Sequence, residues 1–143
     1  MDAGLPPVAF LLRDAGTGGA ERSSLRLANA LSRRGLSVSV LFLHARGPMF
    51  AGLAPEVRVV DLHESFLRLL NEVRRGKFGF LLPVYTAMRA LLTKVILRGP
   101  LQVILSQRSM FTMERGPLQT RLRTLRYRLL APHAAACVCI SRG

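Results

Sequence analysis

Val8-Ala9-Phe10-Leu11-Leu12, then Asp14-Ala15-Gly16-Thr17-Gly18-Gly19, then Ala20-Glu21-Arg22-Ser23-Ser24-Leu25-Arg26-Leu27-Ala28, is the stretch that decides how this chain is read. Five consecutive apolar residues that stop at charge and glycine suit a strand buried on both faces of a parallel sheet. Over residues 20–34 the pattern turns helical, with Ser24, Leu27, Ala28 and Leu31 on one stripe. Arg33 and Arg34 fall in its last turn, and Gly35 stands where a helix of this kind terminates. Strand, glycine turn and helix follow one another without a gap.

Working outward, residues 37–43 and 57–62 read as the second and third strands, joined through the glycine and proline of residues 46–55. Helical segments are expected at about residues 66–75 and 83–97, and residues 102–106 read as a fourth strand. Residues 118–130 form a basic amphipathic helix: Leu118, Leu122, Leu125 and Leu129 share one face, and Arg121, Arg123, Arg126 and Arg128 occupy others. A last strand is expected over residues 136–140. Such βαβ alternation implies a parallel sheet flanked by helices, a Rossmann-like α/β domain with right-handed crossovers. The chain reads as stopping where such a unit would pass into another helix.

The 143 residues fit one domain, and half of them are apolar, enough for one core. No repeat or low-complexity linker divides them. Against 8 acids stand 21 basic residues, 19 of them arginine, for a formal charge of +13. That balance points to anionic partners: phosphorylated substrates, phospholipid headgroups or nucleic acid. Seven Phe, two Tyr and no Trp are too few for the aromatic platform of a single-strand nucleic-acid surface. The N-terminus has no basic n-region and its apolar run is too short for a signal peptide, which places the protein in the cytoplasm. Cys137 and Cys139 alternate along a strand and read as a buried pair of small apolar side chains on one face rather than a disulfide framework.

A glycine turn that opens a helix brings backbone amides close to a ligand, and the helix N-terminus favours negative charge. Phosphate or sugar contact and a plain helix-entry turn are both compatible with it. The dinucleotide fingerprint fails here, because Gly16-Thr17-Gly18 is followed by Gly19, Ala20 and then Glu21 in place of the third glycine. After the second strand stand His44 and Arg46, not the acid that holds a ribose hydroxyl. A P-loop is excluded, since no Gly-Lys-Ser or Gly-Lys-Thr occurs.

The residues Gly18-Gly19-Ala20-Glu21-Arg22, then Leu25-Arg26-Leu27-Ala28-Asn29-Ala30-Leu31, Arg34-Gly35 and Val38-Ser39-Val40 resemble the opening of GT-B-fold glycosyltransferases of the family 4 type. Residues 135–143 resemble the strand and Ser-x-Gly turn that closes the N-terminal domain of the same family. In between, residues 100–106 lack the family's Asp, and about 30 residues lead on to the final strand, fewer than usual; either one βα unit is missing or residues 102–106 are the later strand. The resemblance implies the N-terminal, acceptor-side half of a GT-B fold. Such a domain takes part in moving a sugar from a nucleotide-sugar donor to a glycan or lipid-linked acceptor, with retention as the family's usual outcome. It implies no cofactor and no metal, and a donor-binding half supplied by further sequence or by another chain, without which the domain is inactive. It also extends the location to the inner face of a membrane.

Carried over by position, Gly18 and Gly19 are the candidates for backbone contact with a phosphate or sugar in the interdomain cleft. Glu21 reads either as a cleft residue or as a helix-start charge satisfying free amides. Arg108, just past the fourth strand, is placed at the carboxyl end of the sheet, where open α/β sheets bind ligands, or in a solvated loop. Glu56 with Glu64, and Glu64 with Glu72, show the E-x7-E spacing of the family's C-terminal domain without its context, so neither pair is carried over.

Residues 78–97 hold only Arg89 and Lys94 as charges. Two central cations cost about 2.5–3.5 kcal/mol each on insertion, so this run reads as a core or interfacial helix rather than a span. His44, His63 and His133 are too dispersed for a metal motif, and no nucleophile elbow is present. Two readings from other classes remain beside the glycosyltransferase half: an NADP-type oxidoreductase fragment, from the glycine turn with His44 and Arg46, and a basic module that binds an anionic membrane surface or nucleic acid.

Overall fold

The structure is a computed structural model that describes residues 4–107 and 117–139 of the chain. Six strands alternate with helices: β1 (Val8–Leu12), α1 (Gly19–Arg33), β2 (Val38–Phe42), β3 (Arg58–Asp61), α2 (Phe66–Gly76), β4 (Phe80–Pro83), α3 (Ala87–Leu97), β5 (Gln102–Gln107), α4 (Pro117–Leu130) and β6 (Ala136–Cys139). Every pairing is parallel, and the strands lie in the order β3-β2-β1-β4-β5-β6. This is the doubly wound order, in which the chain builds outward from β1 first to one side and then to the other.

Alternation along β1 creates the two cores. Val8, Phe10 and Leu12 face α1, with Val38, Val40 and Phe42 of β2 beside them and Ala20, Leu25 and Ala28 of α1 above. Ala9 and Leu11 face the other way, onto Leu69 and Val73 of α2 and Ala90 and Leu91 of α3. All five residues of β1 and all five of β2 are buried, as their uniform apolar run requires. Each large aliphatic or aromatic side chain so enclosed contributes about 1.5–3 kcal/mol.

The helix ends follow local chemistry. Gly35, at φ +86°, closes α1: its N–H donates to Ser32 O and the Leu36 N–H to Leu31 O, the paired bonds of a left-handed C-terminal cap. Ser65 Oγ accepts the Arg68 N–H at 3.3 Å and starts α2. Asn29, on α1, holds the β2–β3 connection by two bonds, Nδ2 donating to Gly52 O and Oδ1 accepting the Ala54 N–H, both at 2.8 Å.

Three expectations change. The helix read from residue 83 begins at Ala87, and the residues before it form β4, inserted between β1 and β5; the sheet therefore holds six strands where the sequence pattern located five. On α1 the buried stripe is Ala20, Ser24, Leu25 and Ala28, while Leu27 is 41% exposed, because the helix is rotated so that its small residues lie closest to the sheet. Cys137, expected to be buried, is exposed, because among the described strands β6 lies at the edge of the sheet, beside β5 alone; the side chain of Cys139 lies outside the described residues.

Candidate functional site

In a doubly wound sheet the ligand crevice opens outside the carboxyl ends of the strands, where chain direction reverses from one side of the sheet to the other. Here that point falls between β1 and β4. One lip is the loop from β1 into α1, residues 13–18; the other is the turn from β4 into α3, residues 84–86.

The first lip is held in shape from both ends. Asp14 Oδ1 accepts the Gly16 N–H at 3.0 Å, a local turn of the kind aspartate favours. The Ala15 N–H donates to Arg46 O, and Ala15 O accepts the Met49 N–H, so the loop after β2 braces the glycine turn. Gly47 permits this approach: at φ +125° a side chain would be strained, and its Cβ would run into the Ala15 backbone.

Gly18 is the N-cap of α1 and supplies no side-chain acceptor; Gly19 is the first helical residue, and both are exposed. Glu21, in the first turn, folds its carboxylate over Gly18, where any Cβ would collide with Oε2. That oxygen is buried and has no hydrogen-bond partner among the described residues. A buried, unpaired carboxylate oxygen is costly, and a hydroxyl or amide donor entering the turn would relieve it. A phosphate at the same amides would instead meet like charge unless the Glu21 side chain swung away. The structure thus brings Gly18, Gly19 and Glu21 together; Arg108 lies outside the described residues.

The second lip carries residues that the sequence pattern did not single out. Tyr85 sits immediately after β4 at φ +57°, a conformation unfavourable for a bulky side chain, and is 67% exposed. Thr86 beside it is buried, its hydroxyl donating to Leu11 O at 2.7 Å and tying this lip to the end of β1.

Next to the crevice, the exits of β2 and β3 gather four titratable groups. His44 Nε2 and Glu64 Oε1 are 2.8 Å apart, and Arg89 on α3 donates to Glu64 O at 2.9 Å. His63 and Glu64 both adopt left-handed backbone, φ +48° and +58°. The Asp61 carboxyl is held below its ordinary range, chiefly by the His63 N–H that it accepts at 2.8 Å; desolvation opposes this, while the Ala45 N–H and the neighbouring His63 and His44 rings add to it. Their common signal in the sequence is position: each lies at, or two to three residues beyond, the end of an apolar strand. No group of three or more His, Cys, Asp or Glu able to hold a metal ion occurs among the described residues, and no helix among them is long and apolar enough to cross a membrane.

No protein-family model and no curated protein matches the chain. Among solved structures, MurG of Acinetobacter baumannii aligns with a TM-score of 0.61 at 16% identity, over 96% of this chain and 42% of its own. The UDP-glucose 4-epimerase of Thermus thermophilus, in complex with NAD, aligns with a TM-score of 0.53 at 12% identity, over 87% of this chain and 50% of its own. UGT2 of Phytolacca americana, complexed with UDP-2-fluoro-glucose and pterostilbene, gives 0.49 at 13% identity, over 76% of this chain and 32% of its own, too low to carry weight. The MurG likeness establishes the fold alone, a Rossmann-like α/β sheet matching GT-B glycosyltransferases. The chain spans half or less of each of these proteins.

Proposed function

We propose that this chain is the acceptor-side half of a nucleotide-sugar glycosyltransferase, acting with a donor-binding half that completes the cleft. The observation that carries this reading is the MurG alignment, which runs over 96% of the chain. The Gly18-Gly19 turn with Glu21 folded over it supports a role in sugar recognition. Backbone amides lie at a helix start, and the buried Glu21 Oε2 awaits a donor such as a sugar hydroxyl. Tyr85 on the opposite lip offers an exposed ring for a base or a sugar face. The acceptor, glycan or lipid-linked, would approach this half, and the sugar would be delivered from the other.

The chain carries no cofactor in this reading, and catalysis awaits the second half. Titration of the isotopically labelled chain with a panel of nucleotide sugars tests it. The expected result is a set of saturable shifts centred on the Gly18, Gly19 and Tyr85 amides, weakened by Glu21→Gln. Sugar transfer is expected only after a donor-side domain is added. The epimerase alignment favours a second reading, a dinucleotide site. Glu21 in place of the third glycine, and His44 engaged with Glu64, argue against it. Saturable NADPH binding with no response to nucleotide sugars would overturn the first reading in favour of the second.

A further inference from the structure

Among the described residues His63, Glu64, Lys77, Tyr85 and Arg98 take left-handed backbone without being glycine. Lys77 and Arg98 close α2 and α3, where such a residue is common. His63 and Glu64 follow Asp61, whose carboxylate accepts the His63 N–H. Tyr85 ends no helix; it stands between β4 and α3 and holds an aromatic ring at φ +57°, where glycine would sit without strain. Its conformation is imposed from both sides. Val84 and Thr86 are buried and both donate to one carbonyl, Leu11 O, the Val84 N–H at 2.8 Å and the Thr86 hydroxyl at 2.7 Å. The residues flanking Tyr85 are thereby pinned to the end of β1, and the ring between them is left exposed on the lip of the crevice. Backbone strain held by its surroundings in this way concentrates at ligand sites.

The other lip narrows what the ring can meet. The two lips spring from β1 and β4, which are hydrogen-bonded neighbours and so lie about 4.8 Å apart. On the β1 side Glu21 Oε2 is buried without a hydrogen-bond partner among the described residues, an acceptor that repels phosphate and takes a hydroxyl. On the β4 side the residues next to Tyr85 are buried, so the turn offers one flat apolar face and not the continuous apolar track that an acyl chain needs. A nucleobase would stack on that face but brings its phosphates towards the carboxylate. A pyranose ring brings hydroxyl donors for the carboxylate and, on one side, C–H bonds polarised by their oxygens, which lie flat against the negative face of an aromatic ring.

We propose that Tyr85 is the stacking residue of the crevice, held in strained backbone so that its ring lies against the C–H face of an uncharged pyranose whose hydroxyl donates to Glu21 Oε2. The inference rests on the glycosyl-transfer reading and deepens it, by assigning the sugar ring, and not the base, to this half of the cleft.

The full chain contains two tyrosines and no tryptophan, so the ring resonances of Tyr85 can be assigned by comparison with Tyr85→Phe. The chain is titrated with methyl pyranosides of the common hexoses, with the matching UDP-sugars and with UDP alone. The expected result is an upfield shift of the Tyr85 ring protons, with saturation transfer to the pyranose C–H protons, from a methyl pyranoside or from a UDP-sugar but not from UDP. A response to the free pyranoside names the acceptor as the source of the ring, and a response confined to the UDP-sugar names the donor. Tyr85→Ala should weaken that binding about fivefold and Tyr85→Phe should retain it. Tyr85→Gly should lose it without lowering the urea midpoint, because glycine fits the backbone. The proposal is overturned if no sugar shifts the ring, if UDP alone shifts it as far as a UDP-sugar, or if Tyr85→Gly lowers the midpoint, which would place the ring in the packing of the fold. Undiminished UDP-sugar shifts at Gly18 and Gly19 in Tyr85→Ala would overturn it and leave the glycosyl-transfer reading standing, whereas a parent chain that answers to NADPH and to no sugar would overturn both.

Discussion

The two sides of the sheet are built to different standards of closure. On the side of β1, β2 and β3, every residue of β1 and β2 is buried, α1 lies across one face, and the connection after β2 is fastened by Asn29 and braced against the glycine turn. On the side of β4, β5 and β6, the last helix presents four leucines to solvent and the edge strand exposes Val138 and Cys137. A groove of about 590 Å³ between β6 and α4 is lined by Leu105, Tyr127 and Cys137 among others. The first side is a closed core; the second leaves large apolar side chains exposed among the described residues. The crevice between β1 and β4 falls on the boundary, with its glycine lip on the finished side and Tyr85 on the other.

The largest effect that separates the sides is a paired truncation. Phe10→Ala, at a position 1% exposed, should cost about 3–5 kcal/mol in urea unfolding, whereas Leu125→Ala should stay within about 0.5 kcal/mol. Equal costs would mean that α4 is as closed as β1 and would dissolve the contrast. Gly47→Ala should lose about 1–3 kcal/mol, because it strains a φ of +125° and drives a methyl into the Ala15 backbone; the amides of the glycine turn should move with it in heteronuclear spectra. Asn29→Ala removes both bonds that fasten the β2–β3 connection and should cost about 1–2 kcal/mol, with faster hydrogen exchange at the Ala54 amide than at the β1 amides. The smallest effect is one of acidity. Asp61 is depressed on folding, so its contribution is present above its ordinary value of 3.8 and disappears as pH falls through the lower folded value. A stability curve taken downward from pH 5 should therefore be flatter for Asp61→Asn than for the parent.

Much of the finished side was legible in the residues. The uniform run Val8-Ala9-Phe10-Leu11-Leu12 and Gly35 each have one physical use, and the structure puts them to that use. On the other side the signal fails for a reason of period. Residues 78–97 are apolar nearly throughout, and a four-residue strand buried between β1 and β5 has no alternation to distinguish it from the helix that follows. Tyr85 and Thr86 were lost with it, because inside an expected helix no residue stands at the mouth of a crevice. His44 was visible only as a departure from the dinucleotide pattern; its bond to Glu64 links positions twenty apart, which spacing alone does not connect. On α4 the leucine row was evident, but periodicity gives a face without saying which way it points.

The position of β1 also sets an order of events as the chain is made. Val8 pairs with Val38 on one edge and with Phe80 on the other. About sixty residues suffice to close β1, β2 and β3 with α1, while the opposite edge of β1 must wait until α2 has been added and β4 arrives. During that interval the most apolar strand in the molecule presents an open row of amides and carbonyls, a template for pairing with a neighbouring chain. A ribosome that paused between α2 and β4 would prolong that exposure, and the yield of soluble protein should be most sensitive to translation rate there.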